Sequence, residues 1–317
     1  MNEFESFKND LTASVSKAIV GKGDVLDLVV YDLLVGGHVL FEDNPGLGKT
    51  TLAKAVALAI GCEFRRVQFT ADLLPADVTG TFVLDGSGGF RFLKGPVFTQ
   101  VLLADEINRS PPKTQSALLE AMQERQVTAE NQTFVLPSPF VVFATQNPIE
   151  YEGTYPLPEA QMDRFTVRLK MGYPDPESEV RILGLKENSR DDLAGVQRIA
   201  DPRRLLDLQS KLDEVYVDED VKRYMVRIVS ETRVSSEVEV GVSPRGTIQL
   251  FRMAKARAAC SGRDYVSPDD VKFLAEPVLA HRLVLSTDYA VKGVTQANVI
   301  ENVLRKTPVP KVAEVVE

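Results

Sequence analysis

Two short stretches of this sequence carry side chains whose types and spacing suit work on phosphate. The first is Gly46-Leu47-Gly48-Lys49-Thr50, preceded by Asn44-Pro45 and followed by Thr51. Glycines let successive backbone N–H groups turn inward around a polyphosphate, and the N-terminus of a following helix adds partial positive charge. Lys49 would neutralise β- and γ-phosphate oxygens, and the Thr50 hydroxyl would join a Mg²⁺ shell. The full pattern G-x-x-x-x-G-K-[ST] asks for glycine at position 43, where this chain has Asp43. Strand, turn and helix still fall in the required order. Val39, Leu40 and Phe41 form an apolar run before the turn, and Leu52, Val56 and Ile60 form a helical stripe after it. The plain alternative is a Gly-rich strand-to-helix turn with a solvated lysine, and the second stretch weighs against it.

That second stretch is Val101-Leu102-Leu103-Ala104-Asp105-Glu106. An apolar run fit for a strand covered on both faces delivers two carboxylates at its C-terminal end, where open α/β sheets bind ligands. Asp105 suits a Mg²⁺ shell, and Glu106 suits a base that orients and deprotonates an attacking water. Alone, two such carboxylates in a turn would read as solvated; downstream of a phosphate loop they read as its partner. Asn147 follows another apolar run and could hydrogen-bond a γ-phosphate or the water, although Asn147-Pro148 is also an everyday turn. Arg164, within Met162-Asp163-Arg164-Phe165, reads equally as a surface ion pair or a group acting on phosphate. Arg109 is open in the same way, between its own loop and a neighbouring subunit. Glu120 and Glu124 share one helical face and read as solvated, and His38 reads as structural.

Hydrophobic patterning supplies a frame for these groups. Apolar runs at 39–41, 101–104 and 140–144, with further strand-like stretches at 64–69 and 167–169, alternate with helical patterns, which predicts a five-stranded parallel sheet covered by helices. Phe4, Phe7, Leu11, Val15 and Ile19 predict an amphipathic helix over 2–19, and Asp24 reads as the N-cap of a second helix. A short, proline-interrupted helix is expected over 72–80. Asp85-Gly86-Ser87-Gly88-Gly89 between apolar flanks predicts a β-hairpin over 81–92, and Glu130-Asn131 a second over 126–136. The first hairpin would be costly to keep for packing alone and so reads as a contact element. Ser110 reads as an N-cap with Pro111 at the first helical position. The composition shifts at Gly172-Tyr173-Pro174-Asp175-Pro176, which predicts an α/β domain over 1–173 and a helical one over 174–317. Helices are expected there at 177–187, 202–214, 218–234, 244–260 and 268–279, three of them opened by Asp201-Pro202, Ser243-Pro244 and Ser267-Pro268. The tail from Lys306 reads as loosely held.

Composition excludes several classes of function. A net charge of −8 argues against general affinity for nucleic acid or anionic membrane. His38 and His281 are the only histidines, which leaves no histidine metal site and no His-dependent triad. Cys62 and Cys260 lie far apart, in neither metal-ligand nor redox spacing, as expected of a reducing compartment. MNEFESFKND has no basic or apolar region of a signal peptide, and no apolar run reaches the roughly 20 residues a membrane span needs. A cytoplasmic location and no membrane insertion are expected.

Longer stretches carry a family likeness. Gly95-Pro96-Val97-Phe98, LLADEINRSPPKTQSALLEAMQERQVT (102–128) and ATQNPIEYEGTYPLPEAQMDRF (144–165) closely resemble the MoxR group of AAA+ ATPases, and the likeness continues more loosely through Val242-Ser243-Pro244-Arg245. Glu42-Asp43-Asn44-Pro45-Gly46 falls within that group's range, which answers the departure at Asp43. The resemblance implies a P-loop NTPase of the helix-2-insert subgroup with a C-terminal all-helical lid. Lys49 and Thr50 would be the Walker A pair, Asp105 and Glu106 the Walker B pair, and Asn147 the sensor 1 residue. Arg164 falls where the arginine finger lies, and Arg245 resembles sensor 2. Ile19-Val20-Gly21 matches the segment lining the adenine pocket, and the two hairpins match the helix-2 insert and the pre-sensor 1 hairpin.

The resemblance further implies ATP and Mg²⁺, a ring oligomer of six subunits, a partner with a von Willebrand factor A domain, and a protein client. The expected activity is ATP hydrolysis that drives chaperone-like remodelling, assembly or cofactor maturation by moving the helical lid against the α/β domain. A small-molecule kinase is disfavoured by Glu106, which prepares water. A DNA-acting motor is disfavoured by the acidic charge, and a chelatase-type subunit by the closeness of the MoxR stretches.

Overall fold

Runs such as Val101-Leu102-Leu103-Ala104 and Val141-Val142-Phe143-Ala144 have no polar member, so they have to be covered on both faces. In the computed structural model, which describes residues 2–86, 88–148, 153–188 and 191–310, they lie at the centre of a parallel sheet. The chain opens with α1 (Glu3–Val15) and α2 (Gly23–Val35), then β1 (Val39–Glu42), α3 (Lys49–Ala59) and β2 (Phe64–Gln68). The short α4 (Pro75–Thr79) leads into a hairpin of β3 (Gly80–Leu84) and β4 (Phe90–Lys94). β5 (Val101–Asp105) and α5 (Pro112–Glu124) precede the hairpin of β6 (Gln126–Ala129) and β7 (Gln132–Val135). β8 (Val141–Gln146), α6 (Glu159–Met162) and β9 (Val167–Leu169) complete the sheet region. There follow α7 (Pro176–Asn188), α8 (Pro202–Lys211), α9 (Glu219–Val234), β10 (Val238–Val240), α10 (Pro244–Cys260), α11 (Pro268–Leu279), β11 (Val284–Leu285), α12 (Thr287–Ala290) and α13 (Gln296–Lys306).

The strand order is β2-β5-β8-β1-β9, with every neighbouring pair parallel. Alternate side chains of each strand enter different cores. Phe41, Leu103 and Phe143 join one core with α1, α2, α3 and the C-terminal helices. Leu40, Leu102 and Val142 join another with Leu118, Met122 and Phe165. The register sets Gln68 beside Asp105 and Phe41 beside Thr145, so the carboxyl ends of the central strands form one polar edge.

Several boundaries differ from the sequence expectation, each for a local reason. α1 stops at Val15 rather than near 19, because residues 17–20 turn to line a cleft. α2 starts at Gly23 with Lys22 as its cap residue and Asp24 in its first turn. α5 starts at Pro112 with Pro111 at the cap, because the Ser110 hydroxyl donates to Ile107 O and serves the preceding turn. The C-terminal region is not wholly helical: β10 and β11 form a small antiparallel pair. Each is too short to show a period and they are distant in sequence. α13, with Val299, Ile300 and Val303 buried, was missed as well. The sequence leaves the tail loosely held from Lys306, but Lys306 ends α13 and Thr307 is buried with its hydroxyl donating to Val303 O at 2.8 Å; the part beyond 310 lies outside the described residues. Among those residues no helix is long and apolar enough to cross a membrane.

The C-terminal helices pack against α1 and α2, with α10 in contact with both. Their own anchor is Asp270 in α11, whose carboxylate is wholly buried. It accepts two bonds from Arg263 at 2.7 Å, one from the Ser267 N–H at 2.8 Å, and others from Arg257 and the Ser267 hydroxyl. Burial opposes its ionisation, but Arg263 and Ser267 outweigh it and hold its pKa below the usual 3.8. The stabilisation is therefore complete above the unfolded value and is lost as the pH falls through the lower folded one. Asp270→Ala should cost about 3–5 kcal/mol, since two arginines lose a buried partner. Urea titration of parent and variant at neutral pH reads this loss, and a difference under about 1 kcal/mol would give the ion pairs no more than a surface role.

Candidate active site

The turn between β1 and α3 folds as an open cradle. Gly46 and Gly48 take φ of +84° and +86°, a left-handed conformation that side chains resist. Nothing lies within 4 Å of where a Gly46 Cβ would stand. Gly48 is the cap residue of α3 and brings no side chain to its first-turn N–H groups, which are left for an anion. Lys49 is buried, and its ammonium donates to Asp43 O at 2.6 Å and Asn44 O at 2.9 Å. Burial lowers its pKa, while the charges of Asp43, Asp105 and Glu106 act the other way.

Asp105 ends β5 at the same edge. One carboxylate oxygen accepts the Thr145 hydroxyl at 2.6 Å, and the other accepts Arg66 Nη2 at 2.7 Å and Nε at 3.0 Å. The Thr145 oxygen in turn accepts the Glu106 N–H at 2.8 Å. Glu106 takes φ of +55°, a strained value for a residue with a side chain that costs about 1–3 kcal/mol. That turn swings its carboxylate to Gln68 Nε2 at 2.8 Å and Arg109 Nη1 at 3.1 Å. Arg109, left open by the sequence, thus pairs with the acidic residue of its own loop.

Pro45, Gly46, Gly48, Lys49, Thr50, Thr51, Asp105, Glu106 and Asn147 line one cavity of about 380 Å³, together with Arg66, Gln68 and Thr145. Sequence reasoning gave the last three no role. Gln68 and Thr145 could have been found from their places at the carboxyl ends of strands; Arg66 gave no comparable signal. An adjoining cleft of about 550 Å³ shares Gly46, Gly48 and Thr51, and Leu47 lines it too. Ile19, Val20, Met171, Pro174, Ile182 and Leu185 give it apolar walls of a kind that suits a base. Gly21 lies just beside it, against Ser178. Asn44 donates its amide to the Tyr173 hydroxyl at 3.3 Å.

Arg164 and Arg245 lie elsewhere. Arg164 precedes β9 and donates to Leu119 O at 2.6 Å, beside Glu120 and Glu124 in a surface hollow. Arg245 lies in the first turn of α10, two residues after Ser243, whose hydroxyl donates to Asp163 just before β9, and its charge reaches His38. His38 precedes β1 and, through Val142 N–H on its Nδ1 at 3.0 Å, joins the amino edge of the sheet. Burial, the larger influence, takes its pKa down to about 3, so it is neutral and structural. Both arginines therefore belong to the edge opposite their own phosphate loop.

The donor set suits Mg²⁺ rather than a fully protein-held metal. Among the described residues no group of three or more His, Cys, Asp or Glu could hold an ion. Thr50 and Asp105 offer two oxygens, and Mg²⁺ commonly takes one or two from protein and the rest from phosphate and water.

A phosphate loop and an acidic strand end on a 2-5-8-1-9 parallel sheet, followed by helices, define a P-loop nucleoside triphosphatase with a helical lid. Residues 38–167 match the family described as "ATPase family associated with various cellular activities (AAA)", and 230–303 match the AAA lid domain. The chain is 45% identical to the uncharacterized protein YeaC of Bacillus subtilis over 93% of its own length and 92% of that protein's. It is 42% identical to the chaperone MoxR1 of Mycobacterium tuberculosis over 94% and 81%. A crystal structure of a candidate ATPase from Cytophaga hutchinsonii superposes with a TM-score of 0.90 at 39% identity, covering 97% of this chain and 96% of that one. Chelatase relatives are more distant, as with a ChlI homolog of Methanocaldococcus jannaschii at 26% identity. The chain belongs to the MoxR family of AAA+ ATPases and is an ATP-hydrolysing enzyme.

Lys49→Ala should weaken nucleotide binding at least about tenfold, because charge-assisted bonds worth roughly 1.5–3 kcal/mol disappear. Calorimetry with a non-hydrolysable ATP analogue measures this, and parental affinity would remove Lys49 from the phosphate contacts.

Proposed function

We propose that the chain binds Mg·ATP through residues 44–51 and uses its hydrolysis to remodel, assemble or mature client proteins as a ring, of six subunits by family likeness. In this reading the α/β domain ends at 173 and the helical domain follows. Glu106 accepts a proton from water while Asn147 orients it, and Lys49 with the loop N–H groups balances charge on the phosphates. Bound Mg²⁺ would offset charge on the β- and γ-phosphate oxygens, with Thr50 and Asp105 as its protein contacts. Val20 and Gly21 border the base.

The observation that carries the ring is the placement of Arg164 and Arg245. Arginine suits phosphoryl transfer because its planar fork stays charged and meets two oxygens at once. Both lie at the amino edge of the sheet while the phosphate loop lies at the carboxyl edge. A neighbouring copy that places this edge against the loop would complete the site. Client contact is supported by the first hairpin, where Leu84 and Phe90 pair across the strands and are 69% and 70% exposed. Its Phe92 stacks on Phe134 of the second hairpin at 4.1 Å between centroids, which joins the two hairpins. A von Willebrand factor A domain partner is what the family likeness implies, a cytoplasmic location is read from the two lone cysteines, and with a net charge of −8 no nucleic acid is expected.

Glu106→Gln should keep ATP affinity and lose about 10²–10⁴ in turnover, the usual worth of a positioned base. Phosphate release with and without DNA reads turnover, and the same variant held in ATP is suited to capturing clients. Parental turnover would assign the water to another group, and strong stimulation by DNA would favour a DNA motor.

Arg164→Ala should fold, bind ATP and lose about 10³–10⁵ in rate if it completes a neighbour's site. Loss of a surface contact alone would cost only about 0–1 kcal/mol of stability. Mixing this variant with Lys49→Ala should restore part of the activity, because some interfaces pair an intact loop with an intact arginine. No recovery at any ratio, in rings shown to have exchanged subunits, would overturn the assignment of Arg164 to a neighbour's site.

A further inference from the structure

Asp43 is the residue at which the phosphate loop departs from the general pattern, and its carboxylate has two partners in different places. One oxygen accepts the N–H of Asn44 at 2.9 Å, inside the loop. The other accepts the N–H of Gly172 at 2.6 Å, in the segment between β9 and α7. That segment is gripped a second time. Lys22, directly after the base-lining residues, donates to Gly172 O at 3.0 Å and Tyr173 O at 2.9 Å. Gly172 thus has its N–H held from the phosphate loop and its carbonyl from the base segment.

The same loop residues are where Lys49 rests, on Asp43 O and Asn44 O. A polyphosphate in the cradle would draw the ammonium away, since a doubly bonded anion outcompetes neutral carbonyls. The 43–44 peptide then loses its cation and must settle anew. Glycine at this position would let that adjustment stay within the loop. Aspartate ties it to Gly172, and through the 172–175 segment to α7, whose Ile182 and Leu185 wall the base cleft.

We propose that Asp43 is a positioning residue that passes occupancy of the phosphate loop to the 172–175 segment and α7. The proposal rests on the nucleotide reading of the loop, and its test separates the two. Hydrogen exchange over 172–188 would be followed with inorganic triphosphate, which fills the loop but has no base to reach the apolar walls of the cleft, and with Mg·ATP. In the parent, triphosphate should change exchange across this stretch. Asp43→Gly supplies the residue of the general pattern, so ATP affinity should stay within about tenfold. Asp43→Asn keeps the shape but turns an NH2 group toward one of the two N–H donors, which sit on different carboxylate oxygens, and removes the charge from the other bond. Both variants should lose at least about half of the triphosphate response, with faster exchange at Gly172 even before ligand is added. An undiminished response in both variants, no response in a parent that binds triphosphate, or loss of ATP binding in Asp43→Gly would each overturn the proposal. A parent that binds neither probe would instead bring down the nucleotide reading, and the coupling with it.

Discussion

Cover on both faces of the central sheet is the constraint from which the site follows. Val101 to Ala104 and Val141 to Ala144 are wholly buried, so polar side chains cannot appear along these strands. They emerge only where the strands end. Parallel register then brings Gln68, Asp105 and Thr145 to one line, next to the loop that follows β1. The chemistry is concentrated at this edge because it is where the buried strands first reach solvent.

At that edge, bonds of two strengths coexist. The Thr145 hydroxyl, buried and bonded to both Asp105 and the Glu106 backbone, fixes the direction of the acidic pair and helps offset the strain at Glu106. The cations and amides around it are more exposed. Arg66 and Arg109 have roughly half their side-chain surface in solvent, where an ion pair is worth only about 0–1 kcal/mol. Gln68 on Glu106 and Lys49 on loop carbonyls are likewise replaceable contacts. A rigid hydroxyl bridge with weakly held partners lets the carboxylates keep their aim while exchanging what they touch.

Most of this was legible in the sequence, and the gaps have physical causes. Unbroken apolar runs announced β1, β5 and β8, mixed patterning announced β2 and β9, and glycine spacing announced the loop. Lys49, Thr50, Asp105, Glu106 and Asn147 come together in one cavity as their spacing suggested. Arg66 and Thr145 were given no part because their roles depend on which strands become neighbours, and β2, β5 and β8 are adjacent only in the folded sheet. The β10–β11 pair escaped for the same reason. Ser110 misled as a cap because its hydroxyl was already engaged by the turn before it. Local signals predict local geometry; a hydroxyl's choice between two nearby acceptors is settled by packing.

The placement of the two outlying arginines has a further consequence for how the helical region can act. Asp163, beside Arg164, accepts the Ser243 hydroxyl at 3.1 Å at the start of α10 and pairs with buried Arg282 at 3.3 Å. Arg282 also donates to Phe165 O at 2.8 and 3.0 Å. Burial lowers the Arg282 pKa only to about 10, so it stays charged and the cluster stays intact at neutral pH. Arg164 is thus one residue from a group that binds the α10 cap, and Arg245 is two residues beyond that cap. With α10 also packed on α1 and α2, the helical region shares a core with the sheet and does not hang from a linker alone. The Asp163–Ser243 bond thereby ties the chain beside Arg164, itself held on α5, to the start of α10 beside Arg245, so a surface that meets one arginine has the other close by.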